Sequence, residues 1–230
     1  MEQYRVTIPR SMAKGIKELK REHNVLAIGD LHAPFIRPDY LEHNLRLRDK
    51  YHIDEVVFMG DAVDNHYSSF HITDPDGFGA GEELERAIAQ LQPWYKEFPD
   101  AKVCIGNHDR IPERKIQESG LSKLWLRNIS EVLSFDSWEF VDHYLKDQVL
   151  YVHGDGAGKA IIRAKKELVS VVEGHWHSEA YVQYAVGRHY RIFGMQVGCG
   201  VLDSAYAMAY GKNGPRSAIG SVVTKFQCSC

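Results

Sequence analysis

VCIGNHDR, residues 103–110, carries an apolar run straight into Asn107, His108 and Asp109. Three polar side chains able to bind metal or move protons sit where a strand should simply turn. Four other short runs end in the same way: NVLAIGD at 24–30, EVVFMGD at 55–61, QVLYVHG at 148–154 and SVVEGH at 170–175. Runs of this length, rich in Val and Ile and free of polar alternation, have the pattern of strands covered on both faces.

Between these runs the spacing predicts helices. In residues 81–98, Leu84, Ile88, Leu91 and Tyr95 form one apolar stripe on an otherwise charged helix, which Pro93 is expected to kink or end. Tyr40, Leu41, Asn44, Leu45 and Leu47 outline a second helix after Pro38, and Ile161, Ala164 and Leu168 a third. Strands alternating with helices imply βαβ units and a layered α/β core. From Ala180 onward, AYVQYAV, RIFGMQV and IGSVVTKF are strand-like and separated by glycines; they are expected to complete a second sheet by antiparallel pairing. The turn-rich stretch NHYSSFHITDPDGFGAG, 65–81, reads as an ordered loop over the strand ends.

At 230 residues, with 44% hydrophobic and 26% charged, the chain reads as one ordinary globular domain, 1–230, with 1–24 as an N-terminal extension. The formal net charge of −3 announces neither a nucleic-acid nor an acidic-membrane binder, although a local basic groove stays open. MEQYRVTIPRSMAKGIKELKREHN lacks the apolar core of a secretory signal, and no later run approaches the roughly 18 apolar residues of a membrane span. A cytoplasmic protein with no membrane partner is the expectation. Within the first residues, Lys14, Lys17, Lys20 and Arg21 would gather on a helix, usually a solvated face. The cysteines, Cys104, Cys199, Cys228 and Cys230, match no structural zinc spacing and read as reduced thiols; the tail pair has no evident role.

In open α/β sheets ligand-binding groups gather beyond the carboxyl ends of the strands. Here those loops hold Asp30 and His32 (GDLH), Asp61 and Asp64 (GDAVD), Asn107, His108 and Asp109 (GNHD), His153 and Asp155 (HGD), and His175 and His177 (GHWH). Five of the 12 histidines occupy these ends. Taken alone, Asp30 and Asp61 read as turn formers or helix caps, and His153 as a hydrogen-bonded turn residue. In GHWH, an extended chain would put both imidazoles on one side. Five such blocks at five strand ends have no common structural explanation. Two carboxylates, an amide oxygen and four imidazoles exceed one tetrahedral ion but fit two divalent ions sharing a bridging carboxylate.

The order Asp-x-His, Gly-Asp-x-x-Asp, Gly-Asn-His-Asp, His, Gly-His-x-His resembles the calcineurin-like metallophosphoesterases, over Asp30 through His177, about two thirds of the chain. The resemblance implies a layered α/β sandwich of two mixed β-sheets flanked by helices, with the metal site at the C-terminal ends of the strands. It implies that Asp30, His32 and His177 hold a first metal, that Asn107, His153 and His175 hold a second, and that Asp61 bridges them. Asp64 would fix ligand orientation. His108 would face the substrate as proton donor, with Asp109 setting its tautomer. The reaction implied is hydrolysis of a phosphate ester by a metal-bridging hydroxide. Mixed N and O ligands without thiolate admit Zn²⁺, Fe²⁺, Co²⁺, Ni²⁺ or Mg²⁺, with Mn²⁺ favoured.

Serine/threonine protein phosphatases of this superfamily show Gly-Asp-x-Val-Asp-Arg-Gly, whereas this chain reads GDAVDNH, with Asn65 in place of the arginine. A dianionic monoester benefits from that extra bidentate cation, so its absence favours a phosphodiesterase, on a nucleotide or nucleic-acid diester among other substrates. A phosphomonoesterase is the alternative, and a binding scaffold of the same fold the third reading. Substrate contacts are expected from Asn65, His66 and Tyr67, with Phe70, His71 and Phe78 either stacking on a ring or packing the loop onto the body.

Overall fold

The computed structural model describes residues 23–156, 158–211 and 215–226. The lysine-rich segment around Lys14 to Arg21 and the tail cysteines Cys228 and Cys230 lie outside the described residues.

One sheet is built from β1 (His23–Ile28), β2 (Glu55–Phe58), β3 (Lys102–Cys104) and β4 (Glu139–Val141), all parallel, with β10 (Ser221–Phe226) antiparallel against β1. The other holds β5 (His143–Lys146), β6 (Val149–Val152), β7 (Ser170–Glu173), β9 (Arg191–Gln196) and β8 (Tyr181–Val186) in that order. Its three inner strands are parallel and its two edge strands antiparallel. Both sheets are therefore mixed. Among the described residues five α-helices join the strands: α1 (Tyr40–Tyr51), α2 (Ala80–Glu97), α3 (Ile111–Glu118), α4 (Ile129–Leu133) and α5 (Ala160–Glu167). Among the described residues no helix is long and apolar enough to cross a membrane.

Period-2 alternation, hidden in the uniformly apolar strand sequences, sorts the residues into layers. Leu26, Ile28, Phe58 and Val103 face outward onto Tyr40 of α1 and Leu91 and Trp94 of α2. Their neighbours Val25, Ala27, Val57, Met59 and Cys104 face inward onto Val149, Tyr151 and Val172 of the second sheet. Beyond that sheet, Ala160 and Ala164 of α5 cover Val171. Gly194 lets α5 approach β9, because a Cβ there would lie 2.2 Å from the Ile161 nitrogen. The result is helix, sheet, sheet, helix.

Several expectations need correction. β1 starts at His23, so His23 and Asn24 belong to the sheet rather than to an extension. The tail divides: β8 and β9 join the second sheet, but β10 returns to the first, where Val223 packs on the outer core. α2 continues through Pro93 to Glu97, because burial of Leu91 and Trp94 on either side offsets the roughly 3 kcal/mol an internal proline costs. Its buried line is Glu83, Ala87, Leu91 and Trp94, with Leu84, Ile88 and Tyr95 on its flanks. Leu168 caps α5 in the left-handed region and is 76% exposed, so it is no part of the stripe. α3, α4, β4 and β5 lie beyond what the apolar pattern predicts; each is short, β4 exposes Glu139, and β5 exposes His143 and Leu145.

Tyr40 locks the ends of three segments. Its hydroxyl accepts from the Gly29 amide at 3.1 Å and lies 2.6 Å from the Gly220 carbonyl oxygen, to which it donates. Gly200 leaves room for its ring, since a Cβ there would sit 1.9 Å from Cδ1. Tyr40→Phe strands a buried amide and is expected to lower unfolding free energy by about 1–3 kcal/mol, read as a lower urea midpoint at unchanged slope.

Candidate metal centre

The five polar loops follow β1, β2, β3, β6 and β7, three from one sheet and two from the other, so they meet where the rims of the two sheets adjoin. Close approach is bought by glycine: a Cβ on Gly106 would lie 2.0 Å from Asp61 Oδ1, and one on Gly174 2.3 Å from Asp30 Oδ1. His32 (φ 51°), Asp61 (φ 46°), Asn65 (φ 53°) and His175 (φ 68°) all adopt the left-handed backbone that non-glycine residues avoid. Strain of this kind costs on the order of 1–3 kcal/mol per residue and gathers at functional sites.

Three groups of donor atoms result among the described residues, two of them sharing Asp61 and the third being His32, Asp64 and His108. Asp30, His32, Asp61 and His177 each bring one ligand atom within 4.8 Å of the others, and Asp61, His153 and His175 do the same. Asn107 joins the second group, its Oδ1 2.9 Å from His153 Nε2. Asp61 belongs to both: its Oδ2 is 3.4 Å from His32 Nε2 and 3.3 Å from His153 Nε2. His175 and His177 separate, contrary to the extended-chain expectation. The left-handed turn at His175 sends its Nδ1 to within 3.3 Å of His153 Nε2, while His177 Nε2 lies 3.1 Å from Asp30 Oδ2.

The imidazoles are oriented from behind. His32 Nδ1 faces Asp64 Oδ1 at 2.5 Å, and His153 Nδ1 faces the Met59 carbonyl oxygen at 2.9 Å. A carbonyl only accepts, so His153 carries a proton on Nδ1, and in its neutral form Nε2 points a lone pair at Asp61 and Asn107. Burial disfavours a charge on His153, but Asp61 and then Asp30 outweigh it and raise its pKa to about 10. His32 is likewise raised despite its burial, by Asp61 and Asp64. Burial works against ionisation of Asp61, yet His153 and His32 hold it well below the usual carboxylate range. Asp30 Oδ1 is buried with no hydrogen-bond partner. Converging lone pairs, an orphaned carboxylate oxygen and space that a Cβ would fill suit a pair of divalent cations, with N and O donors and no thiolate.

His108 stands beside the first group. Its ring centroid is 4.5 Å from that of His32, and its Nδ1 donates to the Asp64 carbonyl oxygen at 2.6 Å. Burial, and then the charge of His32, lower its pKa. The positioning expected of Asp109 thus falls to Asp64. Asp109 instead accepts from the Gly106 amide at 2.9 Å and the Val63 amide at 3.2 Å, bracing the loop; burial and the Asp61 charge raise its pKa to about 6.

Of Asn65, His66 and Tyr67, only Tyr67 is exposed; farther along the loop Phe70 and His71 are exposed too. Asn65 donates to the His108 carbonyl oxygen at 3.0 Å. His66 turns inward, accepting on Nε2 from the Asp74 amide at 3.1 Å with its ring against Tyr206. Phe78 packs between Phe35 and Tyr206. The loop is pinned by Glu83, whose carboxylate accepts from the amides of His66 at 2.6 Å and Tyr67 at 3.0 Å. The apolar spacing does not point to Glu83; an acidic residue in line with Ala87, Leu91 and Trp94 is the signal that finds it. Gln196, whose Nε2 donates to the Glu173 and Gly174 carbonyl oxygens ahead of His175, had no such signal.

No curated protein is significantly similar to the chain. Among solved structures it is similar to the Pseudomonas putida nuclease MPE, at 12% identity over 77% of this chain and 74% of that one, with a TM-score of 0.41. It is similar also to a double mutant of Vps29 from Entamoeba histolytica (14%, 76% and 74%, TM-score 0.36). A third neighbour is a putative diadenosine tetraphosphatase (17%, 76% and 83%, TM-score 0.34). The model of the calcineurin-like phosphoesterase family matches residues 23–196, a span that runs from the first residue of β1 to the last of β9 and takes in all five polar loops. The chain belongs to the calcineurin-like phosphoesterases, metal-dependent hydrolases of phosphate esters.

Proposed function

We propose that this enzyme hydrolyses phosphodiesters, with Asp30, His32 and His177 holding one divalent ion, Asn107, His153 and His175 the other, and Asp61 shared between them. The observation that carries the dinuclear reading is the place of Asp61 Oδ2, between His32 Nε2 at 3.4 Å and His153 Nε2 at 3.3 Å. Two such ions lower the pKa of a water and offset charge on the phosphoryl oxygens. The N and O donor set without thiolate admits Mn²⁺, Fe²⁺, Zn²⁺, Co²⁺ or Ni²⁺, and Mn²⁺ is the ion we assign.

The protein's own groups do the rest. Asp64 plays two parts: its carboxylate turns His32 Nε2 toward the ions, and its carbonyl takes the Nδ1 proton of His108. With Nδ1 engaged, Nε2 of His108 is the nitrogen left to give a proton to the departing alkoxide. Asn65, where the protein phosphatases have arginine, spends its amide on the His108 carbonyl. No bidentate cation stands at that position for the second charge of a monoester, which supports the diester.

With Mn²⁺, bis(p-nitrophenyl) phosphate is expected to be turned over faster than p-nitrophenyl phosphate, and chelation to stop both; preference for the monoester would overturn the diester assignment. His108→Ala is expected to lower kcat by about 10²–10⁴ for an alkyl leaving group and by less for an aryl one. Equal losses on the two would remove it as proton donor. Metal at 100 times its Kd stabilises the wild type by about 2.7 kcal/mol. That Mn²⁺-dependent rise in Tm is expected to shrink or vanish in Asp61→Asn; a variant that kept the rise and full rate would refute the bridge.

A further inference from the structure

A groove of about 240 Å³ opens beside the centre, lined by Asn107, His108, Phe70, His71, Ile111 and Arg114. Ile111 is buried beneath it, while Phe70 and Arg114 are exposed at its wall. The Phe70 ring carries two cations: the Arg114 guanidinium lies 4.3 Å from its centroid and the Lys115 ammonium 4.1 Å. Arg110, one helical turn earlier, is spent on Asp142. Among the described residues, by contrast, no carboxylate forms an ion pair with Arg114 or Lys115. These two charges rest on an aromatic face, which restrains a guanidinium while leaving its N–H donors clear of protein acceptors among the described residues and open to a ligand.

We infer that this groove is a second phosphate subsite, in which Arg114, supported by Phe70 and Lys115, binds a phosphate carried by the departing arm of the substrate. The inference rests on the diester reading and on His108 as proton donor, because it is the link to His108 that makes the groove the leaving-group side. An arginine fork matches phosphate bidentately, and its loose hydration makes transfer from water cheap. An uncharged alcohol would leave the Arg114 guanidinium facing the groove without counter-charge, with the Lys115 ammonium held nearby on the Phe70 ring. The ligand chemistry is therefore that of a nucleotide: a diester whose leaving group bears a further phosphate, from a small nucleotide or from a polynucleotide strand.

The test compares the thymidine dinucleotide TpT with pTpTp, in which either departing arm carries a phosphate. The wild type with Mn²⁺ is expected to favour pTpTp in kcat/KM by about tenfold, the order of one charge-assisted hydrogen bond. Arg114→Gln is expected to bring that ratio close to one, and Lys115→Gln to lower it partway. The ratio is read within each variant, so a general loss of folding or metal does not move it. Equal kcat/KM for the two substrates in the wild type, or an unchanged ratio in Arg114→Gln, overturns the subsite. Calorimetric titration with both dinucleotides reads the same ratio without turnover. If no diester is hydrolysed, the diester reading fails, and the titration alone decides the subsite. An oligothymidylate that gains further over pTpTp assigns the site to a polynucleotide strand, and one that does not assigns it to small nucleotides.

Discussion

Asp61 is a carboxylate with 1% of its surface in contact with solvent, and a charge so far from water persists only where donors or opposite charges face both its oxygens. Oδ1 accepts the His108 amide at 2.8 Å, and Oδ2 lies between the ring nitrogens of His32 and His153. These three partners arrive from the loops after β3, β1 and β6. Satisfying one anion therefore requires the rims of both sheets to meet at a single point. The inner core sets how closely they do so, since Val57 and Met59 on one sheet are packed against Tyr151 and Val172 on the other.

Bringing side chains so close has a cost in the backbone. Left-handed conformations at His32, Asp61 and His175 aim these residues inward, and each would relax if released. What holds them is layered support. Gln196 grips the carbonyls ahead of His175, Asp109 takes two amides of adjoining loops, and Tyr40 ties Gly29 at the end of β1 to β10 and α1. None of these three is proposed to touch a metal or substrate, yet each fixes a loop that is.

The loop 65–81 shows how a single buried acid sets the course of a whole loop. Glu83 anchors His66 and Tyr67, which turns His66 inward and leaves Phe70 at the surface above α3. That placement brings Phe70 under the cations of Arg114 and Lys115, so an aromatic residue of one segment becomes the platform for the charges of another. The formal net charge of −3 concealed this, because a sum over the chain carries no information about where Arg114 and Lys115 are held.

The sequence by itself determined the layered α/β core, the five polar strand ends and the donor types they offer, because strand ends are local features, readable from where an apolar run stops. Asp30, His32, Asp61, Asn107, His108, His153, His175 and His177 could all be named in this way. The grouping of the donors came from the family resemblance and not from local pattern; the tertiary structure supplies its physical cause, since the parting of His175 from His177 depends on a left-handed turn that His-Trp-His does not specify. It alone showed that Asp64, not Asp109, positions His108, that β10 crosses back to the first sheet, and that Phe70 meets Arg114. Each of these relations joins residues from segments distant in the chain. Local propensity cannot encode them, because they arise when burial of the two sheets leaves a particular amide, carbonyl or ring with one neighbour and no other.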